Sequence, residues 1–224
     1  MSCQYLILLS SALLLLRAAI TKNGPAQGTT DFGGAWVSQL ENRNLMMLAL
    51  PPSAGMGGQS TGVSNPELKQ IFEADQRDRQ PGVGKIDWAV VEKADAARRE
   101  ATRKLLVNGK LHTGEDFERA AFVFQHGETP DDYLLAHTLA MVAVAKGRRG
   151  ALWIEEATLD RYLNFVHQPQ IYGTQFFFKP NEPTTQEPYN RTLIPDSLRL
   201  DLGVPSQAAQ EEQRKRYDAE RMKR

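Results

Sequence analysis

The chain has a single cysteine, Cys3, so everything downstream of it lacks disulfide staples and cysteine-ligated metals. It also lacks an excess of charge of either sign. Lys plus Arg and Asp plus Glu each number 27, which leaves no electrostatic footprint for nucleic acid or an anionic membrane surface. No Gly-x-Ser-x-Gly elbow, P-loop or dinucleotide fingerprint occurs. The four histidines, His112, His126, His137 and His167, fall into no His-x-x-x-His or related spacing, so neither a metal nor a cofactor is expected.

Long apolar runs are scarce as well; the one that stands out covers residues 5–16 and is followed by Arg17, Ala18 and Ala19. It is shorter than the roughly 20 residues needed to span a bilayer and suits the hydrophobic region of a signal peptide. The expectation is a signal peptide over 1–26 and export to the periplasm or beyond. A retained N-terminal anchor is the alternative and would be the only membrane contact; a start at Met46 or Met47 ranks third. Removing 1–26 takes away Arg17 and Lys22 and no acid, leaving 25 bases against 27 acids, a net −2. Residues 27–64, densest in Gly, Ser and Pro from Pro51 to Gly62, read as a flexible linker too poor in apolar residues to offset its ordering entropy.

From Asn65 to Val204 the pattern predicts one mainly α domain, an antiparallel helical bundle or hairpin array of about five helices with a short extended C-terminal segment. Ser64-Asn65-Pro66 starts the first helix, whose stripe Leu68, Ile71 and Phe72 continues onto Asp75 and Arg79, before Pro81-Gly82-Val83-Gly84 stops it. The second spans about 87–106 with Val90, Ala94, Ala97, Ala101 and Leu105 on one face. Thr113-Gly-Glu-Asp116 resembles a capping box for a third helix burying Phe117, Ala120, Ala121 and Phe124. The fourth, capped at Thr129-Pro130-Asp131-Asp132, is apolar nearly all round from Leu134 to Ala145 and predicts the central buried helix, with Ala136, Ala140 and Ala143 as a close-approach stripe. The fifth, about 151–165, packs through Leu152, Leu159 and Leu163. Ile171 to Phe178 is β-prone, one short strand or an extended segment. Residues 195–200 suggest a short helix, and 205–224 a charged C-terminal helix or tail.

Gln125-His126-Gly127, Ala136-His137, Leu159-Asp160-Arg161-Tyr162 and Pro169-Gln-Ile-Tyr172-Gly173-Thr174-Gln175 occur in that order. On these motifs the stretch 67–204 resembles a bacterial family known only as a domain of unknown function, and it is loosely similar to tetratricopeptide-type helical hairpins. The resemblance brings no activity. It implies that the Gln-His, Asp-Arg and Tyr-Gly-Thr-Gln positions are where a family function would sit.

The catalytic candidates are therefore His126, His137, Asp75, Asp160, Arg79 and Arg161, and the ligand-binding candidates Gln125, Tyr172 and Gln175. His137, set in the most apolar helix, is either a neutral core histidine bonded to a carbonyl or a pocket base. His126, at a helix C-terminus, either complements the last carbonyls or serves a site. Asp75 and Arg79, an i, i+4 pair on an apolar stripe, need partners; Asp160 and Arg161 can supply them by clamping helices one and five, the favoured reading, or by forming a polar pocket floor. Tyr172 to Gln175 either seals the bundle or binds a ligand, with Gly173 marking a positive φ or a close approach. Three readings follow: an exported helical domain that binds a peptide, a small polar ligand or a partner protein; a hydrolase-like enzyme with a histidine general base supported by Asp and Arg; or a purely structural role in which the motifs hold the bundle together.

Overall fold

A computed structural model describes residues 62–80, 86–179 and 181–221. The signal segment expected at 1–26, the linker at 27–64 except its last three residues, and the stop at 81–84 lie outside the described residues. Seven α-helices are present among them: α1 Pro66–Arg77, α2 Trp88–Val107, α3 Gly114–Phe124, α4 Pro130–Ala145, α5 Leu152–Phe165, α6 Asp196–Leu202 and α7 Gln207–Arg221, with a 3-10 turn Arg149–Ala151 before α5. None is long and apolar enough to cross a membrane.

The starts of the first four helices follow local chemistry. The Asn65 side chain accepts from the Leu68 N–H at 3.0 Å, with Pro66 at the first helical position. Asp87 caps α2, and Thr113 and Asp116 form a reciprocal capping box on α3. Asp116 also accepts from Ser64 and the Asn65 N–H, tying the start of α1 to the start of α3.

Helix α4 lies between α3 and α5, and α1 and α2 pack on α3. The core is built from small residues, with Ala120 and Ala121 of α3, Ala136, Ala140 and Ala143 of α4 and Ala157 of α5 all buried, and with Leu68, Phe124 and Ile154 filling the gaps. Phe122 stacks on Trp153 at a centroid distance of 6.2 Å and meets Phe72 edge-on at 5.7 Å.

Four expectations need correction. The helices number seven rather than about five: after α5 an extended stretch is followed by α6 and α7, which lie where the sequence suggests a short helix at 195–200 and a charged helix or tail at 205–224. Helix α7, which has almost no apolar face, is held by buried Gln210, Gln213 and Tyr217. The Tyr217 ring meets Phe176 and Phe178 edge-on. Secondly, of the two readings of Ile171 to Phe178 the strand is excluded and the extended segment stands; two isolated bridges, Gln170 to Tyr189 and Phe177 to Thr185, are the β pairing among the described residues. Thirdly, α4 is not enclosed, since Leu134 and Met141 are exposed on the side that neither neighbour covers.

The fourth correction concerns faces. Helix α2 turns Val91, Asp95 and Thr102 inward and leaves Val90 exposed, one residue out of register with the expected stripe. Helix α5 buries Ile154, Ala157, Arg161 and Asn164 on one side and Glu156 and Asp160 on another, while Leu152, Leu159 and Leu163 are only half-buried. In both helices buried charges have displaced apolar residues from the inner position, a choice that periodicity of hydrophobicity cannot register.

Candidate functional site

Three helices bring one polar cluster together. Asp75, on the last full turn of α1, is fully buried, and its Oδ1 lies 2.9 Å from Nδ1 of His126, just past the end of α3. The same oxygen accepts from Nη1 of Arg79 at 3.0 Å, and Gln76 Nε2 donates to Oδ2 at 2.8 Å. Arg79 Nη2 bridges onward to Asp95 of α2, Asp95 accepts from Arg98 Nη1 at 2.9 Å, and Arg98 reaches back to Asp78. Arg99, one residue on, donates to the His126 carbonyl and thereby fixes the corner that carries the ring.

That corner is shaped by Gly127. A side chain there would collide with Asp132, whose Cβ and Oδ2 would lie 2.2 and 2.9 Å from an added Cβ. Asp132 is needed in place because it caps α4 with Thr129. Tyr133 OH donates to the Gly127 carbonyl at 3.0 Å. The Gln-His-Gly motif is thus explained by a close helix-to-helix turn that points His126 inward.

The electrostatics set distinct protonation states. Burial pushes the Asp75 carboxyl upward, but His126 and Arg79 outweigh it and hold it below its ordinary 3.8. Burial, reinforced by Arg79, holds the His126 imidazole below its ordinary 6.5, with Asp75 pulling the other way. Near neutrality the ring is therefore uncharged, and Asp75 stays ionised through the hydrogen bond from His126 together with the Arg79 guanidinium. An ionised Asp75 accepts the Nδ1–H and fixes the tautomer with its lone pair on Nε2.

Asp75, Asp95 and His126 offer oxygen and nitrogen atoms within 4.8 Å of one another, the spacing of a metal-ligand set. Arg79 argues against that use. Its guanidinium already spans the two carboxylates as a tethered cation, and a metal would have to displace it and leave a buried charge behind.

The remaining candidates fall elsewhere. Asp160 does not meet Asp75 or Arg79. Its Oδ1 accepts from the N–H groups of Ile171 and Tyr172 at 2.8 and 3.0 Å, and its Oδ2 from the N–H and hydroxyl of Thr174 at 2.9 and 2.8 Å. The expected clamp between helices one and five is therefore a clamp of α1 onto α2 and α3, because α2 supplies Asp95 at the distance Arg79 needs. Arg161, turned about 100° from Asp160 on the helix, lies in the field of Tyr133 and Arg79 instead. None of its three guanidinium nitrogens has a hydrogen-bond partner among the described residues.

His137 takes the quieter of its two readings, half-buried with Nδ1 3.0 Å from the Glu155 carbonyl. Gln125 is buried, with Oε1 unpartnered among the described residues. Gln175 is consumed by structure: Nε2 donates to the Ala157 carbonyl and to Thr174, and its backbone N–H donates to Gln170. The Tyr172 carbonyl accepts from Arg199 and Gln210. Gly173 has φ of +73°, and an added Cβ would come within 2.6 Å of the Tyr189 ring and of Gln210 Oε1. Tyr172 to Gln175 therefore seals the bundle against α6 and α7.

Sequence reasoning missed Asp95, Arg98 and Arg99. The available signal was Asp95 three residues before Arg98 in an alanine-rich helix, a pairing ordinarily assigned to solvent. No protein-family model matches this chain, and no curated protein or solved structure matches it.

Proposed function

We propose that the chain is a hydrolase-like enzyme in which His126 is the general base and Asp75 its orienting partner. The observation that carries this reading is the 2.9 Å contact between Asp75 Oδ1 and His126 Nδ1, made in the interior and backed by Arg79. An uncharged imidazole whose Nδ1–H is held by a carboxylate presents Nε2 as a base, and the carboxylate steadies the imidazolium formed when a water proton is taken. Arg79 is engaged by Asp75 and Asp95, so Arg161 is the guanidinium left to face a negatively charged group of the substrate. His126 is only 2% exposed, so on this reading a substrate requires the corner around Gln125 to Thr129 to open.

The binding reading keeps one observation in its favour, the same unpartnered Arg161, which holds a ligand whether or not chemistry follows. Of its candidate residues, Tyr172 and Gln175 lose support, since their segment is consumed in packing. Export through residues 1–26 remains part of the proposal, resting on the apolar run alone.

The test is hydrolysis of a panel of p-nitrophenyl carboxylic and phosphoric esters and of peptide amides by the full chain. Turnover by wild type that falls by about a hundredfold or more in His126→Gln, with a comparable loss in Asp75→Asn, is expected. Undiminished turnover in His126→Gln, or none by wild type on any of these, removes the enzyme reading.

A further inference from the structure

Arg161 is 1% exposed, and its Nε, Nη1 and Nη2 have no hydrogen-bond partner among the described residues. Asn164, three residues on and therefore on the same helix face, is buried with its Nδ2 equally unpartnered. Interiors ordinarily satisfy such groups, and a guanidinium cannot shed its charge to escape burial. The charges around it do not answer the need. Its electrostatic neighbours are the Tyr133 phenol and Arg79, the second of the same sign. The α1–α2 ladder holds three carboxylates, Asp75, Asp78 and Asp95, against two guanidiniums, Arg79 and Arg98, but those acids are spent on their own partners. Glu156, also buried without a hydrogen-bond partner among the described residues, differs: it is an acid whose burial favours the neutral form, which relieves the problem without a ligand.

Four donor nitrogens on one helix face, none hydrogen-bonded among the described residues, suit an oxyanion. We infer that Arg161 and Asn164 form an anion-binding site beside the His126 corner, which takes a carboxylate or phosphate group of the ligand. The planar fork of a guanidinium matches two oxygens of either group, and the Asn164 amide adds a third donor. The location follows from shared neighbours. Arg79 acts on both His126 and Arg161, and Tyr133 acts on Arg161 while its hydroxyl holds the Gly127 carbonyl. The inference rests on reading this corner as the substrate site and narrows the substrate to an anionic one, its acidic group anchored at Arg161 and its reacting bond nearer His126.

The experiment is thermal shift and isothermal titration of the full chain in Tris-chloride with inorganic phosphate or acetate, against sodium chloride at equal ionic strength. Saturable stabilisation of wild type by one of the two anions is expected, and which one responds separates a phosphate from a carboxylate ligand. Arg161→Met removes the response, Arg161→Lys weakens binding by about ten- to hundredfold because the fork is lost, and His126→Gln keeps it. Lys retains the charge and guards against a Met variant that fails to fold. A wild type indifferent to both anions overturns the inference, as does an undiminished response in both Arg161 variants; the first outcome together with a destabilised Arg161→Met means that the chain supplies its own counter-charge. A wild type that binds an anion but hydrolyses none of the esters or amides would fault the general base alone, and a wild type that hydrolyses them without responding to either anion would fault the anchor alone.

Discussion

Asp75 and Asp160 are both fully buried carboxylates on inward faces of helices, one facing full charges and the other facing backbone. Around Asp160 the Ile171, Tyr172 and Thr174 N–H groups and the Thr174 hydroxyl close on the two oxygens, and burial still keeps its pKa above the ordinary value. Around Asp75 a guanidinium and an imidazole reverse that balance and hold the acid ionised. Partial charges on N–H dipoles position a chain; a full charge within 3 Å sets a protonation state. The Asp160 corner therefore reads as a clasp that fastens the C-terminal third to α5, and the Asp75 corner as the place where proton chemistry is possible.

The largest effect should come from breaking the charged corner. Asp75→Ala leaves Arg79 short of a counter-charge and His126 without its partner, and is expected to lower unfolding free energy by about 3–5 kcal/mol in urea titrations. A loss below about 1 kcal/mol would mean that Asp95 alone can balance Arg79. Breaking the clasp should cost less and act locally. Asp160→Asn presents an amide donor or a single acceptor to donors that now meet two oxygens, and should destabilise by about 1–3 kcal/mol. Amide exchange then accelerates through 170–190 before α3 and α4 respond; uniform acceleration would deny the clasp its separate identity. Gly173→Ala tests the same region by sterics, through the positive φ and the Tyr189 ring, with an expected loss of about 1–3 kcal/mol.

The smallest and most diagnostic effect is on pH dependence. His126 has a folded pKa held below 6.5 by burial, so as pH falls through 6.5 the unfolded chain takes up a proton that the folded chain refuses, and stability declines. His126→Gln should flatten that decline. Glu156 works in the opposite sense. Its folded pKa is raised by burial and by Glu155 and Asp160, so the folded carboxyl keeps its proton while the unfolded one ionises above 4.5, and stability falls as pH rises. Glu156→Gln should gain on wild type at pH 8 relative to pH 5. Melting curves of both variants across that range check the pair, and parallel curves would remove the assigned shifts.

Much of this was legible in the residues themselves. The caps at Asn65, Thr113 and Thr129, the alanine stripe of α4 and the need of Asp75 and Arg79 for partners all follow from local chemistry and helical spacing, which act over a few residues. The need at Gly173 for either a positive φ or a close approach was readable too, though not that both apply. What the sequence could not name is which distant group answers each need. Asp95 rather than Asp160 meets Arg79, and Arg161 finds no hydrogen-bond partner among the described residues, because those outcomes depend on how α2 rotates by one residue and how α5 divides its two buried faces between α4 and the clasp. Local propensity decides where helices begin and end; the angle at which each turns its charged residues inward is decided by the neighbours it must fit, and the corner at His126 exists only once three helices have met.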